Sequence, residues 1–195
     1  KANEKKHIFL VGVAVTLFTA CGYISLATGQ IPKTAPEETL DAEFYFIRLA
    51  YSDAGGYRRR GGGAWLTDYP AAEIHLLQGL KRLTRLDTGA QGRVLSIMDA
   101  ELMDYPWLYA VEVGHWYLND EEAARLREYL LRGGFLMVDD FWGSYEWAVF
   151  VQSMQRAFPD RPILEIDDSD PLLHVLYDLD QRTQIPGRGG RWQAD

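Results

Sequence analysis

The sequence predicts a three-layer α/β fold, a mostly parallel sheet with helices on both faces. Short apolar runs alternate with segments of helical periodicity, the pattern of successive strand–helix–strand units. Residues 135–138 (FLMV) are continuously apolar, as strands buried on both faces of a parallel sheet are. Composition agrees. The chain is 47% hydrophobic and 25% charged, which is globular, and a domain of about 150 residues buries about two-thirds of its unfolded surface.

Each element can be justified in order. Residues 43–51 (EFYFIRLAY) are rich in aromatics and read as the first strand. Residues 52–63 hold five glycines and three arginines and read as an irregular loop. Asp68 is placed to N-cap a helix, with Pro70 in its first turn. Ile74, Leu77, Leu80 and Leu83 recur at helical spacing, so that helix runs to about Leu86. Residues 93–98 (RVLSIM) and 107–113 are the second and third strands. Asn119 or Asp120 caps a helix that turns Ala123, Leu126, Tyr129 and Leu130 inward, and Gly133 ends it. The FLMV run is the fourth strand. Ser144 caps a helix whose Trp147, Phe150, Val151, Met154 and Phe158 form an apolar stripe. Residues 162–166 are a fifth strand, and Asp170-Pro171 starts a short helix to about Tyr177.

The N-terminus reads as an export signal. Lys1, Lys5 and Lys6 precede 20 residues, 8–27, without a charge, the arrangement of a secretory leader. Three fates compete: cleavage after Ser25-Leu26-Ala27, lipidation of Cys21 in a Phe18-Thr19-Ala20-Cys21 lipobox, or retention as an anchor. The domain plan is therefore a signal peptide or anchor over 1–27, a linker over 28–42 and an α/β domain over 43–195. The expected location is exported, periplasmic or membrane-anchored, with membrane contact through the N-terminal segment alone.

Charge and cysteine content exclude several functions. The formal net charge is −8, and such a surface repels phosphate backbones, so no nucleic-acid partner is predicted. The local exception is Arg58-Arg59-Arg60. A single cysteine, Cys21, rules out an intramolecular disulfide, a thiolate metal cluster and a catalytic cysteine in the folded part. No H-E-x-x-H, G-x-S-x-G or Walker loop is present.

In open α/β sheets, ligands bind beyond the carboxyl ends of the strands. That rule selects Tyr51, Asp53 and the arginine run after strand one, and Asp99 with Glu101 after strand two. It selects His115, Trp116 and Tyr117 after strand three, Asp139, Asp140 and Trp142 after strand four, and Asp167 and Asp168 after strand five. The ligand-binding candidates are Arg48, Tyr51, Arg59, Asp99, His115, Trp116, Asp139, Asp140 and Trp142. Carboxylates with an imidazole suit a divalent metal, and Asp99, His115, Asp139 and Asp140 are the set that would hold one. No other cofactor is predicted. Each residue also has a plain structural reading: Asp99 as a turn residue, His115 as a packed ring, one of Asp139-Asp140 orienting backbone amides, and Asp167, Asp168 and Asp170 as helix caps.

Four stretches carry a family resemblance. They are Phe46-Ile47-Arg48-Leu49-Ala50-Tyr51; Trp65 with Asp68-Tyr69-Pro70; 130–140 (LLRGGFLMVDD) continuing into Phe141-Trp142-Gly143; and Asp180-Gln181-Arg182 with Ile185-Pro186-Gly187. Over about residues 43–187 the chain resembles the bacterial family called domain of unknown function 4159. The resemblance implies a flavodoxin-like fold similar to class I glutamine amidotransferases. It also implies partners among envelope proteins, including MoxR-type ATPases and von Willebrand A-type proteins, and a C-terminal segment longer than the one here. In the amidotransferases a cysteine stands at a sharp strand-to-helix turn. Here Asp139 and Asp140 lead into Phe141-Trp142-Gly143 with no cysteine, so glutamine hydrolysis is not expected.

Two functions compete on the sequence. The first is a non-catalytic binding or scaffold module of the cell envelope, taking a small ligand, a glycan or a protein through rim aromatics such as Trp65, Trp107, Trp116 and Trp142. The second is a metal-dependent hydrolase built on the acidic and histidine residues at the strand ends.

Overall fold

The computed structural model describes residues 42–54 and 62–175. The expected leader with Cys21, the linker up to residue 41, the arginine run with Arg59, and the segment after residue 175 lie outside them.

Four parallel strands form the sheet: β1 (Ile47–Ala50), β3 (Arg93–Ser96), β4 (Trp107–Val111) and β6 (Phe135–Asp139), in the order β3-β1-β4-β6. The strands pair in parallel, as expected, with Leu49 opposite Leu95 and Val111 opposite Asp139. A two-stranded antiparallel ribbon joins β2 (Ser52–Asp53) to β5 (Trp116–Tyr117). Three helices follow the strands: α1 (Ala71–Leu83), α2 (Asp120–Leu131) and α3 (Gly143–Ala157).

Strand alternation divides the core. Ile47, Leu49, Leu108 and Ala110 face α2 and α3, meeting Ala123, Leu126 and Phe150. Phe46, Tyr109 and Val111 face α1 and meet Leu77. Helices therefore cover both faces, and the central strand β4 is buried on each. Each fully buried aliphatic or aromatic side chain here contributes roughly 1.5–3 kcal/mol relative to exposure.

Capping explains α2 at both ends. Asn119 accepts from Glu122 N–H at 2.9 Å while Glu122 accepts from Asn119 N–H at 2.8 Å, a full capping box. Gly133 takes φ 97°, and Gly134 N–H returns to Tyr129 O at 3.0 Å, closing the helix as expected.

Several expectations are corrected. The strands are shorter than predicted: β1 starts at Ile47, and β4 stops at Val111 because Glu112 enters the left-handed region at φ 55°. Asp68 does not cap α1. It has φ 57°, the cap position is Pro70, and the helix stops at Leu83 instead of near Leu86. The apolar phase of α1 also differs, since Glu73 is buried while Ile74 and Leu83 are exposed. Ser144 does not cap α3. The N-cap is Trp142, whose N–H is taken by Glu146.

The fifth strand is not formed. Residues 162–166 carry no strand, and Ile163 and Leu164 are exposed. Both ends of α3 are tied to the segment that follows β4. Near its start Glu146 packs on Gly114; near its end Arg156 donates to Leu118 O at 3.0 Å. The helix is thus held against the segment after β4 and against α2, where Arg127 donates to Ala157 O at 2.9 Å, and the chain beyond it forms no strand. The short helix after Asp170 is a single 3-10 turn, Pro171–His174, capped by Asp170 as expected.

Among the described residues, no helix is long and apolar enough to cross a membrane.

Candidate functional site

The site begins where β4 ends. Because β3 lies beyond β1 in the sheet, the chain's direction of progress reverses between β1 and β4, and open α/β sheets place ligands at such switch points. Glu112 is the first residue past β4. Its backbone is held from three sides: its N–H donates to Asp139 O at 2.9 Å, its carbonyl accepts from His115 N–H at 2.9 Å, and the same carbonyl accepts from Tyr51 O–H at 2.9 Å. A non-glycine residue held at positive φ costs on the order of 1–3 kcal/mol and is retained where surroundings over-determine it.

The 3-10 turn Val113–His115 then presents His115 toward α3. Gly114 makes this approach close, since a Cβ there would stand 2.3 Å from Glu146 Cβ. His115 Nε2 lies 3.4 Å from Glu146 Oε1 and 3.8 Å from Glu112 Oε2. One ligand atom from each of Glu112, His115 and Glu146 falls within 4.8 Å of the others, and all three side chains are partly buried. The second oxygen of Glu146 accepts from Trp142 N–H at 2.5 Å, so the carboxylate is oriented from behind, as metal-ligating carboxylates are.

Of the four residues expected to hold a metal, only His115 joins this cluster. Asp99 follows β3, with β1 between it and β4; it accepts from Ser96 N–H at 2.7 Å and serves as a turn residue. Asp139 turns to Tyr109 on the α1 face, accepting from its hydroxyl at 3.1 Å. Asp140, at φ 56°, accepts from Trp142 Nε1–H at 2.7 Å.

The other ligand-binding candidates divide between core and rim. Arg48 is wholly buried, paired with Glu73 and donating to Trp65 O and Thr67 O. Tyr51 is buried and donates to Val111 O at 2.7 Å. Trp116 is core, stacked on Phe150. Trp65 and Trp107 are partly buried, and Trp107 packs on Phe46. Trp142 alone of the four rim tryptophans is exposed.

The family model for a domain of unknown function (DUF4159) matches residues 46–195. The chain belongs to that family. No curated protein matches it. Sequence reasoning missed two members of the candidate site in this DUF4159 domain, Glu112 and Glu146. Glu112 sits at the end of an apolar strand and Glu146 between the apolar positions of α3, so neither stands out by pattern. The signal that could have found them is Gly114, a glycine beside the one histidine at a strand end.

Burial also marks a separate feature of the DUF4159 domain. It raises the Asp139 carboxyl above the usual carboxylate range, helped by the charges of Asp140 and Asp68 and opposed by the Tyr109 hydrogen bond. Tyr109 is pushed upward too, first by burial and then by Asp139. The folded state therefore favours protonated Asp139. Below the ordinary carboxylate range, near pH 3.9, both states are protonated and nothing is lost. As pH rises through that range to the raised folded value, stability falls. Asp139→Asn keeps an acceptor for Tyr109 and removes the charge. It is expected to raise Tm at pH 7 and to match wild type below about pH 3.9. A thermal melt series against pH checks this, and an equal Tm difference at both pH values would contradict it.

Proposed function

We propose that the DUF4159 domain is a metal-dependent binding module of the cell envelope, holding a divalent ion of the zinc or manganese class between Glu112, His115 and Glu146. One observation carries the reading: the spacing of the three ligand atoms. A tetrahedral ion with bonds of about 2.1 Å needs its ligands about 3.4 Å apart, and His115 Nε2 stands 3.4 Å and 3.8 Å from the two carboxylates. Imidazole with carboxylate favours zinc or manganese over calcium, which takes oxygen alone. The lysine-led apolar N-terminus supports export. The order β3-β1-β4-β6 agrees with a flavodoxin-like sheet, in which the first strand neighbours both the second and the third.

A second reading, metal-assisted hydrolysis, is favoured by the number of protein ligands. Three leave a coordination position for water, which a zinc-class ion activates at neutral pH.

Isothermal titration of the full chain with zinc and manganese tests the site. Uptake is expected near one ion per chain, weakened by about a hundredfold or more in Glu112→Gln/Glu146→Gln. Equal uptake by that variant would remove these residues from any metal site. Release of p-nitrophenol from esters or phosphate esters by the zinc-loaded chain, lost in the same variant, would move the reading to hydrolysis.

A further inference from the structure

Five aromatic side chains of the described residues are exposed: Tyr69, Tyr117, Phe135, Trp142 and Tyr145. Three of them come from the two segments that carry the acid–histidine cluster. Tyr117 lies two residues after His115, Tyr145 immediately precedes Glu146, and Trp142 donates its backbone N–H to Glu146. Tyr145 is 76% exposed and Trp142 38%. Rings left in water beside a polar site are how proteins meet ligands with one apolar face and one polar edge.

Trp142 is also held in place. Its indole N–H donates to Asp140 at 2.7 Å, and Asp140 reaches that position from a left-handed backbone at φ 56°. An exposed ring fixed in advance loses little freedom when a ligand stacks on it. Its backbone is fixed as well, through the Glu146 carboxylate. One oxygen of Glu146 faces His115 Nε2 and the other accepts from Trp142 N–H. A cation on Glu146 and a ligand on Trp142 would thus share one carboxylate between them.

The chemistry of the ligand follows from charge. The chain carries a net charge of −8, and the Asp140 carboxylate stands against the indole, accepting its N–H at 2.7 Å, a charge that an ion between Glu112 and Glu146 does not offset, so phosphorylated or carboxylated ligands are disfavoured at the ring. What remains is a neutral molecule with an apolar face for the ring and hydroxyl oxygens for the ion. Resting on the metal reading above, we propose that Trp142 and the Glu112–His115–Glu146 cation form one saccharide-binding unit, the indole stacking on a sugar ring whose hydroxyls complete the coordination of the ion.

The test uses the full chain with zinc and three neutral probes: the hexasaccharides of β-1,4-glucose, β-1,4-N-acetylglucosamine and α-mannose. Tryptophan fluorescence reads binding. At least one probe is expected to bind saturably, at least tenfold more weakly to Trp142→Ala, and to an intermediate degree to Trp142→Phe, which keeps a stacking face without the indole N–H. Removing zinc with EDTA is expected to weaken binding at least tenfold. Equal affinity in Trp142→Ala, or saccharide binding indifferent to EDTA, would overturn the unit. Zinc titration of the wild-type chain without sugar separates the two ideas. Zinc bound with no probe taken up overturns the saccharide proposal and leaves the cation reading standing; neither bound overturns both.

Discussion

Arg48→Met is expected to cost about 3–5 kcal/mol of folding stability, the penalty for removing one partner of a buried ion pair. Arg48 is 0% exposed and Glu73, its partner from α1, is 2% exposed. Without the guanidinium, the Glu73 carboxylate is a buried charge that has lost its ion-pair partner. Its second oxygen already has no hydrogen-bond partner among the described residues. Two more bonds go with Arg48, to Trp65 O at 2.8 Å and Thr67 O at 3.0 Å, which fasten the 3-10 turn Ala64–Leu66 to β1. The guanidinium also lies 5.0 Å from the Tyr109 ring centroid, a contact worth on the order of 1 kcal/mol. The double variant Arg48→Met/Glu73→Leu removes both charges together and is expected to recover most of the loss, because apolar replacement of a buried pair is often close to neutral. Urea denaturation of the three proteins reads the result. A single-variant loss under about 1 kcal/mol would mean that the pair is hydrated and not a core element.

This pair also explains where the sequence misleads. The alternation of strands and helices is a local property, written in apolar periodicity, and the parallel sheet with helices on both faces follows it. The phase of α1 is not local. Ile74, Leu77, Leu80 and Leu83 make a plausible stripe, yet the helix is rotated so that Glu73 enters the core to meet Arg48. Gly92 permits it, since a Cβ there would stand 2.3 Å from Glu73 Cγ. A buried carboxylate reads as a surface residue until its partner, 25 positions away, is known.

The fifth strand fails for a related reason. Residues 162–166 have the apolar composition of a strand, but pairing needs the preceding helix to carry the chain back to the start of the sheet, and α3 is tied at both ends to the segment after β4, at Gly114 and Leu118. The same ties build the candidate site. The strand-end rule pointed to His115 through position and chemistry alone. It could not supply Glu146, which reaches the rim only because α3 lies across it, or Glu112, whose side chain is aimed by an unusual φ. Asp139 and Asp140 were selected by the same rule and stand at the correct rim. They nonetheless serve other partners, Tyr109 and Trp142, because alternation turns Asp139 to the opposite face of the sheet.

Trp116 and Trp142, both read as rim residues, are expected to separate by several kcal/mol on truncation. Trp116 is 1% exposed, stacked on Phe150 at 5.9 Å and edge-on to Tyr51 at 6.1 Å. Trp116→Ala opens a cavity at the junction of β5, α3 and the end of β1, and is expected to cost about 3–5 kcal/mol. Trp116→Phe is expected to cost less, because it sheds an indole N–H that is buried without a hydrogen-bond partner among the described residues. Trp142→Ala gives up an exposed ring and one bond to Asp140, so its cost is about 1 kcal/mol or less. Chemical denaturation orders the three variants, and a Trp116→Ala loss no larger than that of Trp142→Ala would return Trp116 to the rim. The ordering matters for function because His115 and Trp116 are neighbours in the chain. A packed indole at 116 anchors the end of the turn that carries the imidazole of the candidate site.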